Sequence, residues 1–429
     1  MYKSYYSIVP LKDVFKHITN GFDFRDYQVA GTPYIKVANV KPGHFDFSNL
    51  NYIDLNTNDI SKKIQLKRGN LLLTRKGTFG NALSIDVDYE YIISSEIFYL
   101  ELHKNIVNSK YLEIVLNSNI GQEQFDRFKI GAIMGSLSQE AIKYIKVPLP
   151  PKEIQQEVVN IYNAAYKQKQ AKEADAKALL ASIDDYLLAE LGITLPEQDN
   201  SLQKRTFITN FSKLTGSRFD PIFLKSSINL LLAGTYKSDL LKSVALSFKS
   251  GVGAGKQDQS LDDNGIIQIR PTNIDVNGEL KFDKNVYLPS LGNYSSNDFA
   301  IYSDVLFNNT NSQELVGKTA VLSLSKRFLF SNHITRIRVN TEKLNPNYLS
   351  LILNLYQSYN VFYSICTNWN NQSGVGLEIL KNIKIPVPPL EKQQEIAEHI
   401  RTIRQKAKQL QEDGASILAD AKIQVEQMI

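Results

Sequence analysis

Ile396, Ile400, Ile403, Ala407, Leu410, Gly414, Ile417 and Ala421 recur at alternating intervals of four and three residues, which puts them on one face of a helix with a heptad repeat. An earlier stretch opens the same way with Ile154, Val158, Ile161 and Ala165, and closes with Leu179, Ile183, Leu187 and Leu191 around a polar run at 168–177. Each stretch follows prolines: Pro148, Pro150 and Pro151 before the first, Pro386, Pro388 and Pro389 before the second. Proline suits that position because its missing N–H falls among donors that a first helical turn leaves unsatisfied anyway. The pattern predicts helices over 151–192 and 389–429, each about 60 Å long at 1.5 Å per residue. Two such helices pack most simply on each other; the alternative is that each lies on its own domain. Elsewhere, short β-branched and aromatic runs are punctuated by Gly, Asn, Asp and Pro, which predicts mixed α/β bodies with a strand majority at 1–150 and 217–388, joined by a linker at 193–216.

The chain is written twice. Lys143-Tyr-Ile-Lys-Val-Pro-Leu-Pro-Pro-Lys-Glu-Ile-Gln-Gln-Glu157 and Lys381-Asn-Ile-Lys-Ile-Pro-Val-Pro-Pro-Leu-Glu-Lys-Gln-Gln-Glu395 agree at 10 of 15 positions. Weaker echoes lie upstream in the same order: 33–40 answers 265–274, 68–75 answers 302–309, 93–100 answers 329–336, and 108–115 answers 345–352. A tandem duplication follows, its bodies far more diverged than the proline-rich junctions.

The 429 residues are 43% hydrophobic and 22% charged, so wholesale disorder is excluded. A single cysteine, Cys366, rules out an intrachain disulfide and fits a reducing compartment. The start has no apolar run of a signal peptide, and no uncharged stretch nears the roughly 20 residues of a membrane span, so a cytoplasmic protein without membrane contact is expected. Basic residues outnumber acidic ones by 18 to 15 in 1–150 and by 20 to 15 in 193–388. The helical stretches are slightly acidic, 5 to 7 in 151–192 and 6 to 7 in 389–429. Two modestly basic bodies fit a protein that touches a polyanion at two places.

Catalytic chemistry is hard to find. Gly251-Val-Gly-Ala-Gly-Lys256 lacks the Ser or Thr of a phosphate loop, and Val316-Gly-Lys-Thr319 lacks its first glycine, so both read as a loop and a turn into a strand. Asp220-Pro-Ile-Phe223 is one proline short of an amino-methyltransferase tetrapeptide. The five histidines are scattered singly, no His/Cys spacing suggests zinc, and Cys366 reads as a buried thiol. A recognition or scaffolding role is favoured.

With its duplicated junctions, Ile145-Lys-Val-Pro-Leu-Pro-Pro-Lys-Glu-Ile-Gln-Gln-Glu157 and Ile383-Lys-Ile-Pro-Val-Pro-Pro-Leu-Glu-Lys-Gln-Gln-Glu395, the chain resembles the specificity (S) subunit of a type I restriction–modification system. Arg218-Phe-Asp-Pro221 also looks like the opening of a second recognition half. The resemblance implies two tandem target-recognition domains of α/β (α+β) type, 1–150 and 217–388, joined by two long helices in an antiparallel coiled coil with pseudo-two-fold symmetry. Each domain would read one half of a bipartite site in double-stranded DNA, and the helices would set the spacer. Two methyltransferase (M) subunits would dock on the S subunit, and restriction (R) subunits would join through them. The S subunit itself would be non-catalytic and hold no cofactor or metal, S-adenosylmethionine, ATP and Mg belonging to the partners.

Arg bidentate to guanine and Asn or Gln bidentate to adenine are the common base readers, while Lys and Arg hold phosphates. In the first body the loop after Leu71-Leu-Leu73 supplies Thr74, Arg75, Lys76, Thr78 and Asn81, with Lys36, Lys41, Lys67 and Arg68 as phosphate candidates. In the second body the corresponding loop is rich in amides: Asn308, Asn309, Asn311 and Gln313, then Lys318. Lys256, Gln257, Arg270, Thr272, Asn273 and the loop with Asn370, Asn371 and Gln372 are further candidates, and Trp369 reads equally as core or as a stacking residue. The competing role is a coiled-coil protein–protein scaffold without sequence-specific DNA binding; an enzyme would need the missing cofactor motifs. Deleting residues 151–192 is expected to abolish partner assembly while each body still folds.

Overall fold

The computed structural model describes residues 5–54, 65–131, 135–195, 208, 210, 228–260, 264–370 and 372–429. Asn371, the Arg218–Pro221 segment and most of the 193–216 linker lie outside the described residues. The chain forms two compact units, Met1–Ala174 with Leu410–Ile429, and Asp175–Gln409.

The first unit is built on a four-stranded antiparallel sheet in the order Phe15–Asn20, Ile97–Leu102, Leu71–Thr74, Ala82–Ser84. Successive side chains on a strand point to opposite faces, and both faces of this sheet are covered. Leu71, Leu73, Phe98 and Leu100 face a core shared with the helix Ser109–Leu116. Leu72, Ile97 and Tyr99 face a second core. There a smaller sheet pairs Thr32–Ile35 in parallel with Ile92–Ile93 and antiparallel with Asn51–Ile53. Burial on both sides explains why Leu71-Leu-Leu73 shows no alternation.

The second unit repeats this plan. Its main sheet runs Ala245–Ser250, Ile334–Val339, Val305–Asn308, Thr319–Val321. Its smaller sheet pairs Ile266–Ile269 in parallel with Phe328–Phe330. Val305 and Phe307 point to one core and Leu306 to the other. Individual bonds repeat as well. Asn117 bonds reciprocally with the Ala82 backbone, as Asn354 does with the Thr319 backbone. Tyr111 donates to the Pro148 carbonyl at 2.9 Å, and Tyr348 to that of Pro386 at 3.0 Å.

Two long helices, Lys152–Leu191 and Leu390–Met428, begin directly after the prolines, within two residues of the predicted limits. In the first unit Val158, Val159 and Tyr162 share a core with Val425 and Ile429, and Lys172 Nζ lies 3.2 Å from Asp413. In the second unit Ile183, Leu187, Leu188 and Leu191 share a core with Ile396 and Ile400, Tyr186 stacks on His399 at 4.2 Å, and Lys392 pairs with Glu190. Within each unit the partners ascend one helix as they descend the other, so the helices pack antiparallel. Each unit's main core takes in residues of its body and of both long helices, which bears on the expectation that each body folds without residues 151–192. No helix among the described residues is long and apolar enough to cross a membrane.

Candidate nucleic-acid interface

Strand direction gathers most of the candidate residues at one end of each main sheet. In the first unit Asn20, Thr74 and Ile97 meet at the same end, and Ile35 runs parallel beside Ile93, so the loops at 21–24, 75–80 and 94–96 and residue Lys36 converge there. In the second unit Ser250, Asn308, Thr319 and Ile334 meet likewise, with Arg270 following Ile269 beside Ser331. A hairpin completes this end: Thr310–Asn311 pairs with Gln372–Gly374, which pairs with Thr367–Trp369. The first unit has its counterpart in bridges joining Ser136 to Lys76 and to Ile130.

The approach of the loops depends on two glycines that sequence reasoning passed over or read as part of a loop. A Cβ on Gly21 would sit 1.9 Å from the Ile93 carbonyl oxygen, and one on Gly251 would sit 2.0 Å from that of Phe330. No other residue fits there. The asparagines that end the single 3-10 turns Val37–Asn39 and Pro271–Asn273 are equally matched. Asn39 Oδ1 accepts from the Lys36 N–H and Asn273 Oδ1 from the Arg270 N–H, both at 2.9 Å, and each amide donates to a backbone carbonyl at 2.8 Å.

Burial then sorts the candidates. In the first unit Lys76 and Thr78 are exposed, with Lys76 Nζ 3.8 Å from Glu96. Lys36 is half-buried with its ammonium 3.9 Å from the centre of the Tyr27 ring. Arg75 is half-buried: its Nε donates to the Leu137 carbonyl at 3.3 Å and its guanidinium lies over Phe98. Lys41 sits on the flanking hairpin that pairs it with His44. In the second unit Lys256, Gln257, Thr272, Asn370 and Gln372 are exposed, and Asn311 is half-buried. Burial lowers the tendency of the Arg270 guanidinium to hold its charge, and its Nε donates to Gln268 at 2.9 Å.

Several expectations need correction. Thr74 is fully buried, its hydroxyl accepting from the Asn81 N–H at 2.8 Å, and the Asn81 amide donates to Val40, so both close the loop. Asn308 and Asn309 are buried; the Asn308 amide donates to Leu315, and the Asn309 amide to Thr335 Oγ1 at 2.9 Å. Asn273 is spent on the turn described above, and the Gln313 amide donates to the Tyr363 carbonyl. Lys318 is buried with its Nζ on the Ile274 carbonyl, and desolvation depresses its pKa, so it is a poor phosphate ligand. Lys67 and Arg68 lie at the opposite end of the strand Leu71–Thr74, where Lys67 pairs with Asp88 at 3.0 Å. A four-residue strand separates them from Arg75 by about 13 Å.

Trp369, undecided from the sequence, is exposed, and Asn332, in the turn before Ile334 at the sheet end, is exposed as well. Cys366 is buried, and Lys318 and Thr319 of the 316–319 turn are buried as well. No group of His, Cys, Asp and Glu among the described residues is arranged to hold a metal ion.

Two bodies built on one duplicated frame, each presenting loops from the same end of its main sheet, define a tandem-duplicated protein. The type I restriction modification DNA specificity domain matches residues 4–181 and 248–413, one stretch in each half, and the chain belongs to that family. Specificity subunits of this family are non-catalytic. Over 98 residues the chain is 38% identical to a protein of Methanocaldococcus jannaschii described as a type I restriction enzyme MjaX specificity subunit, and that match spans 23% of each protein. A chain from a structural study of complex assembly and conformational transition in the type I R-M system superimposes over 99% of this chain and 96% of its own, at 15% identity and a TM-score of 0.55. The S subunit crystal structure from M. genitalium aligns over 99% and 96% at 11% identity and a TM-score of 0.45.

Proposed function

We propose that this chain is the DNA sequence-specificity subunit of a type I restriction–modification complex, with each unit reading one half of a bipartite site in double-stranded DNA. The observation that carries this is a duplicated frame with unlike tips. Gly21 and Gly251, Asn39 and Asn273, and the main sheets repeat. The exposed side chains at the corresponding sheet end differ: Lys76 and Thr78 in one unit, and in the other Lys256 and Thr272 together with Gln257, Trp369, Asn370 and Gln372. Repeated frames with different tips suit two unlike half-sites. The net positive charge of both bodies suits a polyanion better than a purely protein partner.

Two methyltransferase subunits would dock on the duplicated frame, one per repeat, and restriction subunits would join through them. S-adenosylmethionine, ATP and Mg would be held by those partners. Deciding evidence would come from mapping methyladenine at single-base resolution in a host genome, with and without this chain and with its methyltransferase partner present throughout. An asymmetric two-part motif that depends on the chain is the expected result. Methylation that is unchanged by its removal would refute the proposal.

A further inference from the structure

The sole tryptophan of the chain stands at the loop end of the second unit with 47% of its surface exposed. It ends the strand Thr367–Trp369, and its Cα pairs with that of Gln372 across the hairpin. The mount is firm. Gln372–Gly374 pairs on its other side with Thr310–Asn311, the Val375 N–H donates to Asn309 at 2.9 Å, and Ser373 Oγ donates to Asn368 Oδ1 at 2.7 Å. The indole lies edge-on to Gly374, where a Cβ would come within 2.4 Å of Trp369 Cη2. Asn370 next to it takes the left-handed conformation, φ 48°, that turns the chain at the tip. Among the described residues the side chains of Trp369, Asn370 and Gln372 make no hydrogen bond to the protein.

A large aromatic left nearly half exposed on a rigid hairpin keeps apolar area that becomes useful when a partner covers it. Residues 366–374 carry no charged side chain, so this tip is not a phosphate clamp. Its chemistry is one apolar plate and two primary amides. Bases present to such a tip a thymine methyl and the adenine N6/N7 edge. Lys256, exposed on the turn Lys256–Asp258 of the same unit, can hold the backbone.

We propose that Trp369, Asn370 and Gln372 form the base-contacting element of the second unit, the indole packing against an A·T step and the amides reading an adenine edge. This rests on the DNA-recognition reading above and names its reader in one half of the chain. The first unit fills the matching place differently, with Phe79 packed on Gly135, so the two half-sites are read by different chemistry.

The test selects bound duplexes from a random-sequence library with the full-length chain assembled with its methyltransferase partner, then repeats the selection with Trp369→Ala and with Gln372→Ala. The wild type should enrich a two-part motif. Each variant should lose roughly 5- to 150-fold discrimination at an A·T-containing part of it and keep the other part intact. Emission of the sole tryptophan in the wild-type chain should also be quenched when the enriched duplex is added. Preserved preference at both parts, or a uniform loss over all sequences, would overturn the assignment. So would unchanged emission while labelled DNA reports binding. A wild type that enriches no motif would instead refute the DNA-recognition reading itself.

Discussion

The Gln-Gln-Glu that follows each proline cluster is among the plainest repeats in the chain, and the reason lies in one side chain. Gln155 and Gln393 are both buried. Gln155 Oε1 accepts from the Asn108 N–H, and its amide donates to the carbonyls of Ile106 and Pro150. Gln393 Oε1 accepts from the Asn345 N–H, and its amide donates to Lys343 and Pro388. Each glutamine thus braces the start of a long helix to the start of a body helix. Gln393→Ala should cost about 1–3 kcal/mol by leaving buried backbone groups unpaired. Chemical denaturation should show that loss, and a stability equal to wild type would deny the brace. Among the candidate DNA-contacting residues, type alone was a poor guide. Asparagine closes turns as readily as it reads adenine, and Asn273, Asn308 and Asn309 are used for the former.

The long helices were the most legible elements, because an apolar face sustained over many turns has few other uses. The polar run at 168–177 lies between the two apolar parts of the first seam. The structure continues the seam through it: Lys172 meets Asp413 at 3.2 Å, and Lys169 lies against Gly414. A Cβ added to Gly414 would sit 3.4 Å from the Lys169 Cα and carbonyl oxygen. Gly414→Ala should therefore be tolerated, whereas Gly414→Leu should destabilise the first unit by about 1–3 kcal/mol through overpacking. Thermal unfolding of the two variants distinguishes these outcomes, and equal melting temperatures would contradict the close approach. A polar pair in an otherwise apolar seam also favours one register over others. The strand regions were legible in kind but not in pairing. The parallel contacts of Thr32–Ile35 with Ile92–Ile93 and of Ile266–Ile269 with Phe328–Phe330 join segments far apart in the chain.

At the scale of the molecule, neither long helix belongs to a single body. Val425 and Ile429 are buried in the first unit's core, far in sequence from the rest of that unit. Burying each such side chain contributes about 1.5–3 kcal/mol. A chain shortened to residue 409 should lose amide-exchange protection in the strands Leu71–Thr74 and Ile97–Leu102 while the second unit's sheet keeps its own. Protection that is unchanged in the first unit would show that it folds without 410–429.

From the sequence alone came the duplication, the two helices, the strand-rich bodies, the absence of recognisable catalytic motifs and the loops that hold most of the candidate residues, whose convergence at one sheet end only the strand pairing shows. These are properties of periodicity and of internal repetition, which a linear pattern carries directly. Tertiary structure decided which polar side chains at that end remain exposed, that Lys67 and Arg68 fall at the other end, that Trp369 is outside the core, and that the bodies are closed by the helices. Those depend on which distant segments pack together. Burial is a property of the neighbours a residue acquires, and no residue's own identity states it.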